Sequence, residues 1–309
     1  MSDHKENRET DAHSGTETTG HEWDGIKELD TPLPRWWLYT FYACIVIGIV
    51  YMVMMPAIPA LPGMGADADN DHTRGISNNS ERANVAMAMA DLEASRAPGF
   101  ERLRGASIDE IENDPDLLGF VRAAGDAAFG NNCSTCHGSG AQGFVGYPNL
   151  NDDVWLWGGS YDDIRTTIRF GIRGEHADTR FSQMPAFGRD GLLTRSQIGD
   201  VTDYILSLSG QTGPADSIAR GSDIFTSQCA SCHMADGRGD RTQGAPDLTD
   251  QDWLYGGSRD QILATIYRGP YGVMPAWEDR LGDTTIDALA AYVYLLGGGE
   301  AAASRPTGQ

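Results

Sequence analysis

The chain has 309 residues, room for two or three domains. Its formal net charge of −21 excludes the basic surface that non-specific nucleic-acid binding needs, and suits attraction of a basic partner. Five cysteines are an odd set for a disulfide framework, and 38 glycines point to loop-rich domains.

Residues 1–22 are polar, lack apolar periodicity and read as a disordered tail. No signal-peptide pattern follows Met1, because the first apolar run begins too late. That run, Trp36 to Met55, is 20 residues without a charge, the length a helix needs to cross a bilayer. Trp36, Trp37 and Tyr39 at one end and Tyr51 near the other match interfacial belts. Lys27 and Arg35 precede the run and only Arg74 follows closely, which places the N-terminus in the cytoplasm. Residues 1–35 are then a cytoplasmic tail with a juxtamembrane segment, and 36–55 the transmembrane helix. Pro56, Pro59 and Pro62 end the helix, and 63–80 is a Gly, Asp and Asn-rich linker. Residues 81–97 fit a short helix with Val85, Met89 and Leu92 on one side, Met87 and Met89 being packing residues. The whole of 56–113 reads as a periplasmic linker carrying that helix.

From about residue 114 the chain repeats itself. Gly125 and Phe129 precede Cys133 as Gly221 and Phe225 precede Cys229. Pro148-Asn149-Leu150 matches Pro246-Asp247-Leu248, and Trp155 to Ser160 matches Trp253 to Ser258. Met184-Pro185-Ala186-Phe187 matches Met274-Pro275-Ala276-Trp277. Two copies of this length mean a duplicated domain, 114–212 and 213–300, with 301–309 a flexible tail. Each copy starts with a helix, 116–131 or 217–227. Each also ends with one. Thr194 and Gln197 form a capping box before the Ile198, Val201, Ile205, Leu208 stripe. Thr284 and Asp287 start the helix that buries Ile286, Leu289, Val293 and Leu296.

Cys133-Ser134-Thr135-Cys136-His137 and Cys229-Ala230-Ser231-Cys232-His233 are C-x-x-C-H, the attachment pattern of a c-type haem. Two thiols three positions apart can add to the two vinyl groups of one porphyrin edge, and the next residue ligates iron. A zinc ribbon spaces its pairs by roughly 15–20 residues, whereas 92 residues separate these two. A redox dithiol belongs in a βαβ pattern, which is absent. Met184 and Met274 are the candidates for the second axial position, 47 and 41 residues after His137 and His233 respectively. Thioether ligation favours ferrous iron and raises the potential. His176, in the charged loop 173–180, competes with Met184 but has no counterpart in the second copy. The carbonyls of Pro148 and Pro246 are candidate acceptors for the free nitrogens of His137 and His233. Trp155 and Trp253 either donate to a haem propionate or pack; the sequence leaves both readings open. Gly125 and Gly221 allow close helix crossings that Tyr204 and Tyr292 fill.

The order of helix, C-x-x-C-H, Pro-x-Leu, Met loop and helix resembles class I cytochrome c. The segment His21-Glu22-Trp23-Asp24-Gly25-Ile26, with Glu28-Leu29 and Pro32-Leu33-Pro34-Arg35-Trp36-Trp37, is similar to the juxtamembrane signature of the dihaem subunit of cbb3-type cytochrome c oxidases, the CcoP or FixP family. This resemblance implies an all-α fold, one N-terminal transmembrane helix followed by two tandem class I cytochrome c domains. It implies two covalently bound haem c, held by Cys133, Cys136, Cys229 and Cys232, with His137 and His233 as proximal and Met184 and Met274 as distal iron ligands. It implies haem domains on the periplasmic side of a bacterial inner membrane. Electrons would pass from a donor cytochrome c through both haems to a monohaem subunit, then to the haem-copper subunit of an oxygen-reducing, proton-translocating complex. The chain itself offers no oxygen-reducing centre and no catalytic residue. Beyond the apolar run, 19 basic residues against 35 acidic ones leave −16, which suits a basic donor. The alternatives are a free-standing membrane-tethered dihaem carrier, and a dihaem peroxidase, against which the matched Met motifs argue.

Overall fold

The computed structural model describes residues 8–55 and 81–301. The expected linker 63–80, the three prolines before it, the first residues of the tail and 302–309 lie outside the described residues. The chain divides into two compact units, Met1–Ala94 and Ser95–Gln309.

In the first unit, the described part of 1–22 is not the disordered segment the composition suggests. Strands β1 (Thr18–Trp23) and β2 (Ile26–Leu29) form an antiparallel hairpin, with Glu22 opposite Lys27 and Trp23 opposite Ile26. The turn is Asp24-Gly25, at φ 48° and 85°. Two positive φ values match the twist of paired strands, and Asp-Gly adopts them readily. Thr10 bridges to Glu17, and ion pairs join Arg8 to Asp30 at 3.0 Å and Lys27 to Glu9. Turn chemistry and cross-strand pairs order this segment, and neither needs apolar periodicity. Helix α1 (Arg35–Met54) follows within one residue of the expected bounds. None of its side chains is buried, although it is long and apolar enough to cross a membrane. An apolar helix of this length with no buried side chain has the length that crossing a bilayer requires.

Helix α2 (Glu81–Leu103) is longer than expected and runs through Pro98. The stripe of Val85, Met89 and Leu92 stays exposed. The buried residue is Leu103, which joins Ile111, Leu117 and Val121 in one cluster. Ile111 belongs to α3 (Ile108–Asn113), a turn that begins with a capping box between Ser107 and Glu110.

The second unit is built from two matched sets of helices. The first repeat contributes α4 (Pro115–Asn132), α5 (Ser134–His137), α6 (Tyr161–Phe170) and α7 (Arg195–Leu208). The second contributes α8 (Ala215–Gln228), α9 (Ala230–His233), α10 (Arg259–Arg268) and α11 (Asp283–Tyr294). The linear bounds 114–212 and 213–300 do not separate the packing. Helix α4 packs on α11 and α8 on α7, while α6 meets α11 and α10 meets α7. One core therefore joins Phe129, Ile164 and Ile168 to Ile286, Leu289 and Val293. The other joins Ile198, Val201 and Ile205 to Phe225, Ile262 and Ile266. The C-terminal halves of the two repeats are exchanged.

Glycine permits the crossings. A Cβ on Gly125 would overlap Tyr292, and one on Gly221 would overlap the Asp200 carbonyl and crowd Tyr204. The glycines and tyrosines are those the sequence marks, but each pairs across the repeats. Thr194 and Gln197 cap α7 reciprocally, as expected. Helix α11 departs from expectation: Gly282 is its N-cap, and Asp287 is buried against Arg165 instead of capping.

The α7–α8 crossing carries a buried polar group. Arg220 pairs with Asp200 at 2.8 Å and Arg259 with Asp203 at 2.7 Å. The Ser217 hydroxyl lies 2.7 Å from both carboxylates and donates its one proton to either. Hydrogen bonds from Arg220 and Arg259, with Ser217 adding to each, hold both carboxyls below the usual range. A depressed folded-state pKa adds stability that is complete above the unfolded value of about 4 and is lost as pH falls through the lowered value. Thermal melting of the second unit followed from pH 6 to pH 2 should show this loss, and Asp203→Asn should make the remaining acid dependence shallower while lowering the melting temperature at pH 7.

Candidate haem centres

Each C-x-x-C-H closes a single helical turn. Cys136 and His137 both donate their N–H to the Cys133 carbonyl, at 3.1 and 3.0 Å, and Cys232 and His233 do the same to Cys229. The two thiols of a motif thus sit one turn apart on one face. Burial pushes the Cys133 and Cys229 thiols up to about 11, with the neighbouring cysteine adding to it. Burial lowers the pKa of His137 and His233, against the opposing effect of a hydrogen bond from each ring. The neutral imidazole is the form that binds a metal. His137 Nδ1 donates to the Pro148 carbonyl and His233 Nδ1 to the Pro246 carbonyl, both at 3.1 Å. Nε2 of each ring is left for iron, and the ring orientation is fixed.

The methionines are the correction to the in-line reading. Met184 packs against the core that contains Phe225, Leu248 and Ile262, the core on which Cys229 of the second motif also packs. Met274 packs against the core that contains Phe129 and Ile168, the core on which Cys133 of the first motif and Leu150 also pack. Each Met loop is seated on the other repeat. Ile172 and Met274 exchange backbone hydrogen bonds at 2.9 and 3.0 Å, and Gly188 and Arg189 donate to Tyr267 at 3.2 and 3.0 Å. The seats are glycines with φ of 69° and 59°, Gly171 after α6 and Gly269 after α10. A Cβ on Gly171 would overlap the Met274 carbonyl, and one on Gly269 would press on the carbonyl of Met184.

A cavity of about 410 Å³ opens at the second motif, lined by Met184, Phe225, Cys229, Cys232, His233 and Trp253. That volume is in the range of cofactor pockets. Two thiols on one turn, an oriented neutral imidazole and a thioether on the same apolar wall are a donor set that fits a c-type haem. No cluster of three or more His, Cys, Asp or Glu among the described residues could hold a bare metal ion.

Trp155 donates its indole N–H to the Gly298 carbonyl at 2.6 Å, which leaves no proton for a propionate. Trp253 lies on the cavity wall and in the second core. His176 is not at either site: its Nε2 meets Glu278 at 3.1 Å and its Nδ1 accepts from the Asp178 N–H at 3.0 Å. Sequence reasoning passed over Gly171 and Gly269, which matter only once the exchange is known. Their placement just after Phe170 and Arg268, at a fixed distance from each Trp, was the available signal.

Fold and donor set together define a c-type cytochrome that carries an N-terminal apolar helix long enough to span a membrane. Three family profiles match along the chain: the N-terminal domain of cytochrome oxidase-cbb3, FixP, over residues 15–62; cytochrome c over 122–209; and cytochrome c oxidase, cbb3-type, subunit III over 216–293. The chain is 48% identical to the cbb3-type cytochrome c oxidase subunit FixP of Bradyrhizobium sp. (strain ORS 278), over 97% of this chain and 100% of that one. It is 46% identical to the subunit CcoP of Azospirillum sp. (strain B510), over 94% and 98% of the two chains. It is 47% identical to the subunit CcoP of Cereibacter sphaeroides, over 92% and 95%. The chain belongs to the FixP/CcoP family of cbb3-type cytochrome c oxidase subunits, electron-transfer subunits whose cytochrome c domains carry covalently bound haem c.

Trp155→Phe removes a single neutral hydrogen bond and should cost about 1 kcal/mol of stability. Thermal unfolding should register that loss, and the absorption bands of the haem protein should not move.

Proposed function

We propose that this chain is the electron-entry subunit of a cbb3-type cytochrome c oxidase. It accepts electrons from a donor cytochrome c and delivers them to a monohaem partner subunit, from which they reach the haem-copper subunit of an oxygen-reducing, proton-translocating complex. The observation that carries this reading is the pair of matched donor sets, each with two thiols, an oriented imidazole and a methionine. A site with both axial positions filled by protein is suited to passing electrons, not to binding a substrate at iron.

In this reading Cys133 and Cys136 hold one haem c and Cys229 and Cys232 the other. A bound haem c supplies a one-electron iron(III)/iron(II) couple. His137 is the proximal ligand of the first and Met274 its distal ligand; His233 and Met184 serve the second. Pro148 and Pro246 hold the two imidazoles in orientation through their carbonyls. The exposed apolar α1 anchors the chain in lipid of the bacterial inner membrane. The excess of Lys27 and Arg35 over Arg74 supports a cytoplasmic N-terminus and periplasmic haem domains. The net −16 beyond the anchor supports a basic donor.

Purification in mild detergent tests the assignment. The expected result is that the chain carries two haem masses and copurifies with a haem-copper subunit and a monohaem subunit in a fraction that consumes oxygen. A dihaem chain that purifies alone, with no oxygen uptake, is the free-standing carrier. Rapid carbon monoxide binding at one ferrous haem is the outcome that a peroxidase requires. The charge reading has its own test. Screening lengths shrink from roughly 30 Å at 0.01 M salt to roughly 8 Å at 0.15 M, so electron uptake from a basic donor should slow across that range; a rate independent of salt removes steering from the account.

A further inference from the structure

Most guanidinium groups around the helices of the second unit have a carboxylate partner. Arg165 has Asp287, Arg169 has Glu278, Arg180 has Asp163, Arg220 has Asp200 and Arg259 has Asp203. Arg173 has none among the described residues. It is half-buried, and burial lowers its pKa against the opposing influence of the Tyr255 and Tyr271 phenols. A desolvated cation without a counter-charge is costly.

The side chain is nevertheless held firmly. Nε donates to the Gly272 carbonyl at 2.6 Å and Nη1 to the Ser182 carbonyl at 3.0 Å. Its guanidinium carbon lies 5.8 Å from the centre of the Tyr271 ring. The backbone at Arg173 has φ of 52°, a left-handed conformation that a non-glycine residue rarely adopts. Two carbonyls and an aromatic face thus hold the guanidinium in place, and Nη2 has no hydrogen-bond partner among the described residues. Arg173 lines the cavity that contains Met184, Cys229, Cys232 and His233, and among the described residues it is the only Lys or Arg on that wall. The other charged side chains there are Asp152, Asp247 and Asp252. An anionic group in this cavity has one cation to meet.

We propose that Arg173, a residue of the first repeat, binds a propionate carboxylate of the haem attached to Cys229 and Cys232. The inference rests on the haem reading of that site. It also separates the two centres. At the position that corresponds to Arg173 in the second repeat, counted from the glycines Gly171 and Gly269, stands Tyr271. The first centre receives no cation from that position. A fixed positive charge beside the propionate stabilises the reduced iron of the second centre relative to the oxidised form, because the electron gained there is attracted to it.

The test is a redox titration of the full-length holoprotein in detergent, with the two couples resolved by low-temperature electron paramagnetic resonance of the ferric haems. Arg173→Gln should lower the second potential and leave the first unmoved. Arg173→Lys, which keeps the charge but loses the fork, should retain most of the second potential. The propionate-bending band of the second haem in resonance Raman spectra should shift in Arg173→Gln. An unmoved second couple in Arg173→Gln overturns the proposal. So does an equal fall in the Gln and Lys variants, or a fall of both couples together, since either marks distortion of the loop and not loss of a cation. Haem mass on the unsubstituted chain reports separately: a chain without haem at the second motif refutes the reading of the site itself.

Discussion

The exchange of C-terminal helices between the repeats is the constraint on which the rest of the second unit depends. Helix α4 can lie on α11, and α8 on α7, only because Gly125 and Gly221 let the backbones approach. Once those helices have crossed over, the Met loops must follow, since residues 184–188 lead into α7 and 274–278 into α11. Gly171 and Gly269 then provide the two seats. On the proposed assignment, each donor set would be completed by a methionine from the other repeat. Neither core is formed by one repeat alone, so the two are parts of one cooperative structure. Further contacts tie them: the Gly146 N–H donates to the Leu254 carbonyl at 2.7 Å, and Gly244 lies against the buried Trp157. Pairing over such sequence separations carries a loop-closure cost and predicts slow assembly relative to a single small cytochrome.

The two sites present the same candidate donor types and differ in part of what surrounds them. The second is flanked by Asp200, Asp203, Ser217, Arg220 and Arg259 at its helix crossing, and by Arg173 at its cavity. The first has the Arg165–Asp287 pair, while the Phe129–Tyr292 contact at 5.7 Å has its counterpart at the second in Tyr204–Phe225 at 5.2 Å. In a carrier with two centres in series, surroundings and not ligand identity distinguish one potential from the other.

Much of this was legible in the sequence. The 20-residue apolar run, the two C-x-x-C-H motifs, the Pro-x-Leu acceptors and the Thr194–Gln197 cap are local signals, and the structure realises each where the sequence puts it. The juxtamembrane motif was recognisable, yet its hairpin was not foreseen. The signal was present in Trp23-Asp24-Gly25-Ile26, where Asp-Gly between two strand-forming residues is a turn signature. The polar character of the flanking residues hid it. Pairing across repeats was not legible at all. Duplicated sequences have equivalent surfaces, so Gly125 fits Tyr204 by composition as well as it fits Tyr292. Only the three-dimensional path of the connections decides between them. Asp287 misled for a related reason: three residues after Thr284 it looks like a cap, but the partner that claims it, Arg165, comes from the other repeat.

The exchange is tested most directly in a chain that keeps only its first haem, through Cys229→Ala and Cys232→Ala together. The measurement is the weak far-red absorption band that methionine gives to ferric haem, recorded on the purified single-haem protein. With Met274→Ala added, the account predicts loss of the band and the appearance of carbon monoxide binding in the ferrous protein. With Met184→Ala added, it predicts that the band persists. The reverse pattern, loss with Met184→Ala and persistence with Met274→Ala, would show that each repeat completes its own site and would contradict the account.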